Sequence, residues 1–176
     1  MHLPVQYQWL NDLQLPRMIT EALQLHGIKE VPGPINAPPI MAWASTLGLS
    51  NAYKADSIPW CGLFAGIVVK RSGWLPVVDP LWARNWAQFG IKSPAAGLGD
   101  ILVFKRDGGG HVGFYIAEDS THYHVLGGNQ GDAVSIVRIA KDRCIAARRP
   151  KWRIGQPISV KPYHVAPTGK ISKDES

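Results

Sequence analysis

Three residues that lie far apart in the sequence have side chains that together support acyl transfer by a thiolate. Cys61 follows a proline and a tryptophan in "SIPWCGLFAGIVVKRSG" at the predicted start of a helix, His111 opens a predicted strand, and Asn129 follows the next strand. A helix N-terminus and a neighbouring imidazolium lower the pKa of a thiol, an imidazole carries the proton to a leaving amine, and an amide orients the ring. These residues form the candidate catalytic set.

A predicted hairpin brings the histidine and the asparagine together. If the strands that begin at His111 and His122 pair through the short turn between them, His111 lies opposite Asn129. The same register places Tyr115 opposite Val125 and puts glycines beside the histidine, which leave room for another element to approach closely. A slip of one residue removes this pairing.

Each cysteine also has a purely structural interpretation, because free cysteine is a common small core residue. Cys61 has the company of His111 and Asn129, whereas Cys144, within "RCIAARRP", has no such neighbours and is interpreted as a buried structural thiol. Two cysteines form at most one disulfide, and a core of this size is stable without one, so we expect both thiols to be free.

The elements that must position these residues predict an α+β fold, with N-terminal helices packed on a C-terminal antiparallel sheet of about five strands. The predicted helices are "PRMITEALQLHG", "PIMAWASTLG", a segment capped by Ser57 with Pro59 in its first turn, and "DPLWARNWAQFG". The predicted strands form a meander and are "DILVFKR", "HVGFYIAE", "HYHVLGG", "AVSIVRIA" and "CIAARRP".

The predicted organisation is one catalytic domain, residues 16–150, with an N-terminal arm, residues 1–15, and a tail, residues 151–176, that is extended or partly disordered. The chain has 176 residues, of which 45% are apolar and 18% charged, as expected for one globular domain.

The formal net charge of +6 favours an anionic partner. Basic residues are scattered apart from "ARRPKWR", so we do not expect a nucleic-acid partner. The N-terminus lacks a secretory signal pattern, and no apolar run is long enough for a membrane span. We therefore expect synthesis in the cytoplasm and no insertion into a membrane.

Four motifs in this order resemble the papain-like cell-wall hydrolases of the NlpC and CHAP (cysteine, histidine-dependent amidohydrolase/peptidase) superfamily, and a subgroup found in phages and bacterial genomes is the nearest. The motifs are "PWC" at the start of a helix, "LGDILVFK", "GHVGFY" and "LGGNQGD", and the resemblance covers residues 27–139.

The resemblance implies a papain-like fold and hydrolysis of an amide bond in peptidoglycan, either by an N-acetylmuramoyl-L-alanine amidase or by an endopeptidase of the stem or cross-link. Cys61 would be the nucleophile, His111 the general base and then acid, and Asn129 the residue that orients the imidazole. The oxyanion would be held by the backbone N–H of Cys61 and a second donor, for which Tyr53 is a candidate. Trp60, beside the nucleophile, is the tryptophan expected to contact substrate.

Because a thiolate nucleophile needs no metal, we expect no metal and no other cofactor. The resemblance implies peptidoglycan as partner and action at the bacterial cell wall, outside the cytoplasm. We expect a monomer, with a holin-type or immunity protein as a further partner. A phage lysin, a virion-associated hydrolase and a secreted antibacterial toxin remain open.

Two alternative functions remain open as well. One is a non-enzymatic wall-binding or phage structural module with the same fold, and the other is a papain-like protease or deamidase that acts on proteins.

Some individual residues also have two interpretations. Trp82 and Trp86 lie four apart and would line a groove or pack in the core. His122 and His124 alternate on one strand and would suggest a metal pair with Cys61, which we consider the weaker interpretation.

Overall fold

The computed structural model describes residues 3–173 and has its α-helices in the first half of the chain and its strands in the second. This confirms the predicted α+β class. The α-helices are α1 (Arg17–Gln24), α2 (Pro38–Thr46) and α3 (Cys61–Arg71), and 3-10 helices cover Val5–Asp12, Ala83–Gln88 and Lys141–Arg143. The predicted fourth helical segment is therefore a short 3-10 helix.

The second half of the described chain forms one six-stranded antiparallel sheet in the order β1-β6-β2-β3-β4-β5. Its strands are β1 (Ile91–Lys92), β2 (Ile101–Arg106), β3 (Gly109–Glu118), β4 (His122–Gly127), β5 (Ser135–Ala140) and β6 (Cys144–Arg149). The meander is confirmed from β2 to β5. Its predicted continuation is wrong, because β6 returns to pair with β2, and β1 was not predicted.

Helix α3 is the central helix of the core. Its residues from Cys61 to Val69 are all buried, as expected for a helix that is apolar on every side. It packs against β3, and alternation along that strand places Val112, Phe114 and Ile116 in the same core cluster. Tyr115, which alternates with them along β3, belongs to a smaller cluster with residues of the neighbouring strands.

The start of α3 differs from the prediction. Ser57 and Pro59 precede the helix, and the N-cap is Trp60, whose side chain makes no capping hydrogen bond. Cys61, which the sequence places near the start of the helix, is its first residue. Its backbone N–H therefore belongs to the donors that have no partner within the helix, and the thiol lies at the positive end of the helix dipole.

The segments that flank the helices and the sheet are packed onto them. Tyr7 and Leu10 of the first 3-10 helix are buried in the main core. Residues 151–173 contain no α-helix and join the sheet by single bridges, from Glu118 to His164 and from Arg138 to Ile171. The domain limits at residues 16 and 150 remain predictions, and residues 174–176 of the predicted tail lie outside the described part.

A buried network connects the first 3-10 helix to the sheet. Nδ1 of His124 lies 2.7 Å from the Tyr7 hydroxyl, and its Nε2 lies 3.1 Å from a carboxylate oxygen of Asp119. Arg138 donates to the same carboxylate oxygen through Nε. Both ring nitrogens of His124 are therefore engaged within the protein, which argues against a metal pair with His122. Between residues 3 and 173, no group of three or more His, Cys, Asp or Glu is placed to hold a metal ion.

Candidate active site

The thiol of Cys61 lies at the N-terminus of α3, and the residue is only 5% exposed. Burial raises the pKa of this thiol. A backbone hydrogen bond with Val112, the positive charge of Arg106 and a backbone hydrogen bond with Gly62 act in the opposite direction. The surroundings therefore combine a low-dielectric position with donors that favour the thiolate.

The contact with Val112 places the thiol beside β3 at a defined position. The ladder between β3 and β4 begins at the pair Phe114 and Leu126, so β3 extends past the end of β4 at this point. The thiol faces the backbone of Val112 there, directly after His111 in the chain. The thiol of the candidate nucleophile therefore contacts the backbone of the residue that follows the candidate base in the chain.

His111 is fully buried and is oriented by the side chain of Gln130. Its Nε2 lies 3.0 Å from the amide oxygen of Gln130. The amide nitrogen of Gln130 donates to the carbonyls of Val125 and Ser135, which turns its oxygen toward the ring. Since an amide oxygen only accepts, Nε2 must carry the proton in the neutral ring. Nδ1 is then the basic nitrogen, which is the protonation state that a general base requires.

The partner of His111 corrects the sequence prediction, which named Asn129. The predicted register holds for Tyr115 opposite Val125, but β4 ends at Gly127 and the pairing does not continue to Asn129. Asn129 has a φ of 57°, in the left-handed region, so the chain turns instead of extending. The turn brings the next residue, Gln130, to the imidazole.

Two glycines allow the close approach of these elements, and one of them, Gly127, is among those predicted beside the histidine. A Cβ on Gly127 would lie 3.1 Å from Nε2 of His111 and 2.6 Å from the amide oxygen of Gln130. A Cβ on Gly128 would lie 2.7 Å from the ring of Trp60. The pair therefore fits between the histidine on one side and the start of α3 on the other.

The two predicted substrate-binding residues are buried, and both assignments are corrected. Trp60 is fully buried, and its indole N–H donates to Glu30 at 3.1 Å. Tyr53 is also fully buried, and its hydroxyl donates its single proton to the carbonyl of Ile58 at 3.0 Å. In this arrangement Trp60 supports the helix start from within the core, and Tyr53 is not the second oxyanion donor.

The two other tryptophans near the site have different environments. Trp86 is fully buried and donates to the carbonyl of Pro80 at 2.9 Å, whereas Trp82 is 73% exposed. The loop before them approaches α3 so closely that a Cβ on Gly62 would lie 2.2 Å from the Pro80 carbonyl oxygen. Trp82 therefore follows a segment in contact with the helix start, and it is the tryptophan of this region that is available to a ligand.

Cys144 provides the internal comparison for Cys61. Both thiols are free, and burial raises the pKa of each. Cys144 begins β6, and its Sγ donates to the carbonyl of Ala146 at 3.4 Å. Backbone hydrogen bonds with Ala146 and Val103 act on this thiol, and Cys144 begins a strand, not a helix. Its environment is that of a structural thiol.

Comparison with known proteins gives no independent assignment. No protein-family model matches the chain, and no curated protein is similar to it in sequence. None of the helices between residues 3 and 173 is both long and apolar enough to cross a membrane.

Separate substitution of the two neighbouring amides, Asn129 and Gln130, tests which of them orients the imidazole. In Gln130→Ala the hydrogen bond to Nε2 is lost, and we expect kcat/KM for the thiol-dependent reaction proposed below to fall about 10-fold or more. Asn129→Gly is the matched variant, because glycine accepts the left-handed backbone. It should retain activity within about threefold of the wild type. A larger loss in Asn129→Gly than in Gln130→Ala would restore the original assignment.

Proposed function

We propose that this chain is a papain-like peptidoglycan hydrolase that cleaves an amide bond with Cys61 as nucleophile and His111 as general base. The observation that carries the proposal is the position of the thiol at the start of α3, against the backbone of Val112, the residue that follows a histidine whose Nε2 is fixed by Gln130. The resemblance of the "PWC", "GHVGFY" and "LGGNQGD" motifs supports this substrate, since the same residues supply the site.

The reaction follows from the roles of these groups. The thiol proton moves to Nδ1 of His111, and the thiolate attacks the amide carbonyl carbon. In this proposal the backbone N–H of Cys61, at the helix N-terminus, stabilises the oxyanion. The C–N bond breaks as the imidazolium returns the proton to the leaving amine. Water, deprotonated by the same imidazole, then attacks the thioester and releases the acid and the free thiol.

Gln130 acts as a positioning residue in this reaction. Its oxygen accepts from Nε2 and keeps Nδ1 as the basic nitrogen, and it also accepts from the imidazolium when that forms. Its own amide N–H groups are held by two strand carbonyls, so the ring orientation is set by the sheet. The role assigned from sequence to an asparagine is filled here by a glutamine.

The biological setting belongs to the proposal. The charge of +6 would concentrate the protein at an anionic wall. We propose action at the bacterial cell wall as a monomer, with a holin-type or immunity protein as a further partner. The proposal covers three settings: a phage lysin, a virion-associated hydrolase and a secreted toxin. They differ in the route by which the protein reaches the wall.

A non-enzymatic wall-binding or structural module is the second candidate, and the burial of the site favours it. Cys61 is 5% exposed and His111 is fully buried, so substrate must open a path to the thiol. Hydrolysis requires that opening, whereas binding alone does not. A papain-like protease or deamidase that acts on proteins would use the same three residues.

Digestion of purified sacculi tests the proposed function. We expect the wild-type protein to release soluble muropeptides, and mass spectrometry of the new ends identifies the amide that is cut. Casein, incubated in parallel, should stay intact. Binding to sacculi without any new ends would support the non-enzymatic module, and cleavage or deamidation of a protein substrate alone would support the protease or deamidase.

A further inference from the structure

A strongly basic pocket lies at the turn between β2 and β3. Its volume is about 510 Å³, within the range of pockets that hold small ligands. Among residues 3–173, six line the pocket, five cationic and one acidic; they are Arg84, Lys105, Arg106, Asp107, Arg143 and Lys173. A concave surface with this charge raises the local concentration of anions.

Backbone carbonyls hold two of the guanidinium groups at the pocket. Nε of Arg84 donates to the carbonyl of Gly109 at 2.9 Å, and Nε of Arg143 donates to the carbonyl of Lys105 at 3.2 Å. The bond to Gly109 uses one of the five N–H donors of Arg84. The cations are therefore arranged around the turn by the fold, which lowers the entropy lost when they bind a planar anion.

The pocket lies close along β3 to the candidate active site. The side chain of Arg84 lies over Gly110, where a Cβ would lie 2.9 Å from its Cγ, and the next residue is His111. The charge of Arg106 reaches the thiol of Cys61, whose pKa it lowers against the effect of burial. The pocket thus lies at the start of the strand that carries His111, and one of its cations acts on the thiol of Cys61.

We propose that this basic pocket binds a carboxylate-bearing part of the peptide that Cys61 cleaves and so determines substrate specificity. The inference rests on the proposed function and deepens it, because it selects stem peptides with free carboxylates over amidated ones. Arginine binds carboxylates through paired N–H donors, and the lysines add point charges. An amidated peptide offers neither the charge nor the paired acceptor oxygens.

Binding to a Cys61→Ala protein separates this inference from catalysis. The probe is a fluorescent stem tetrapeptide with free carboxylates, and its counterpart has every carboxylate amidated. Charge-assisted hydrogen bonds predict that the free form binds about 10- to 100-fold more tightly by fluorescence anisotropy. The double substitution Lys105→Gln and Arg143→Gln should remove most of that preference, while Lys92→Gln, an exposed lysine on β1, should leave it unchanged.

Two results would overturn the proposal: equal affinity for the two peptides, or the same loss of preference in Lys92→Gln as in the double variant. Tighter binding of a single-stranded oligonucleotide than of the free peptide would also overturn it, since a phosphate polymer would then be the better ligand. Failure of the wild type to digest sacculi bears on the proposed hydrolysis alone, because the binding measurement requires no cleavage. Thermal unfolding of each variant verifies that it is folded.

Discussion

Substitution of His111 by alanine is expected to lower kcat/KM for muropeptide cleavage by about 100- to 10,000-fold, the usual contribution of a general acid–base group. The imidazole takes the thiol proton and returns it to the leaving amine, so both steps lose their proton carrier. Initial rates on a soluble muropeptide, followed by chromatography, measure the effect.

The matched control is His164→Ala, because the side chain of His164 is 75% exposed. It should retain activity within about twofold of the wild type, as expected for a surface substitution. Since His111 is fully buried, thermal unfolding must show that His111→Ala is folded. A folded His111→Ala protein with wild-type rates would exclude His111 as the base.

The second large effect concerns stability and the ion pair of Asp100 with Arg149. Asp100 is fully buried and accepts from Nε and Nη2 of Arg149 at 2.8 Å each, and also from the backbone N–H of Gly97 at 2.8 Å. Removal of one partner from a buried pair costs about 3–5 kcal/mol, because the remaining charge is left without compensation. We expect Asp100→Asn to lower the free energy of unfolding by this amount.

Denaturant unfolding followed by tryptophan fluorescence measures this change in the free energy of unfolding. In thermal unfolding, the same change should lower Tm by roughly 2–4 °C for each kcal/mol. Asp12→Asn is the matched control at an exposed aspartate and should change the free energy of unfolding by less than about 0.5 kcal/mol. An Asp100→Asn protein as stable as this control would show that the pair does not hold β6 against the start of β2.

The sequence predicts the sheet well where alternation is strong. Strands β2 to β6 are recovered because β-branched and aromatic residues alternate between turn residues. Strand β1 was not predicted because its two residues, both exposed, are too few to show an alternating pattern. The position of β6 beside β2 is a long-range pairing, and local patterns carry no information about it.

The candidate site is predicted in part for a similar reason. Cys61 and His111 follow from local patterns, but Gln130 does not, because the register was extended beyond the end of β4. The signal that would have indicated it is the second amide in "GGNQGD", one side-chain carbon longer than the first. Burial of Trp60 and Tyr53 depends on tertiary packing around α3, which neighbouring residues do not reveal.

The most direct test of the central claim is release of muropeptides from purified sacculi by wild-type protein, Cys61→Ala and Cys144→Ala, with folding verified for each. Cys61 supplies the nucleophile, so Cys61→Ala should release nothing above the buffer blank. Cys144→Ala should match the wild type, because that thiol lies in β6 away from the helix start. Release by Cys61→Ala at the wild-type rate would contradict the account.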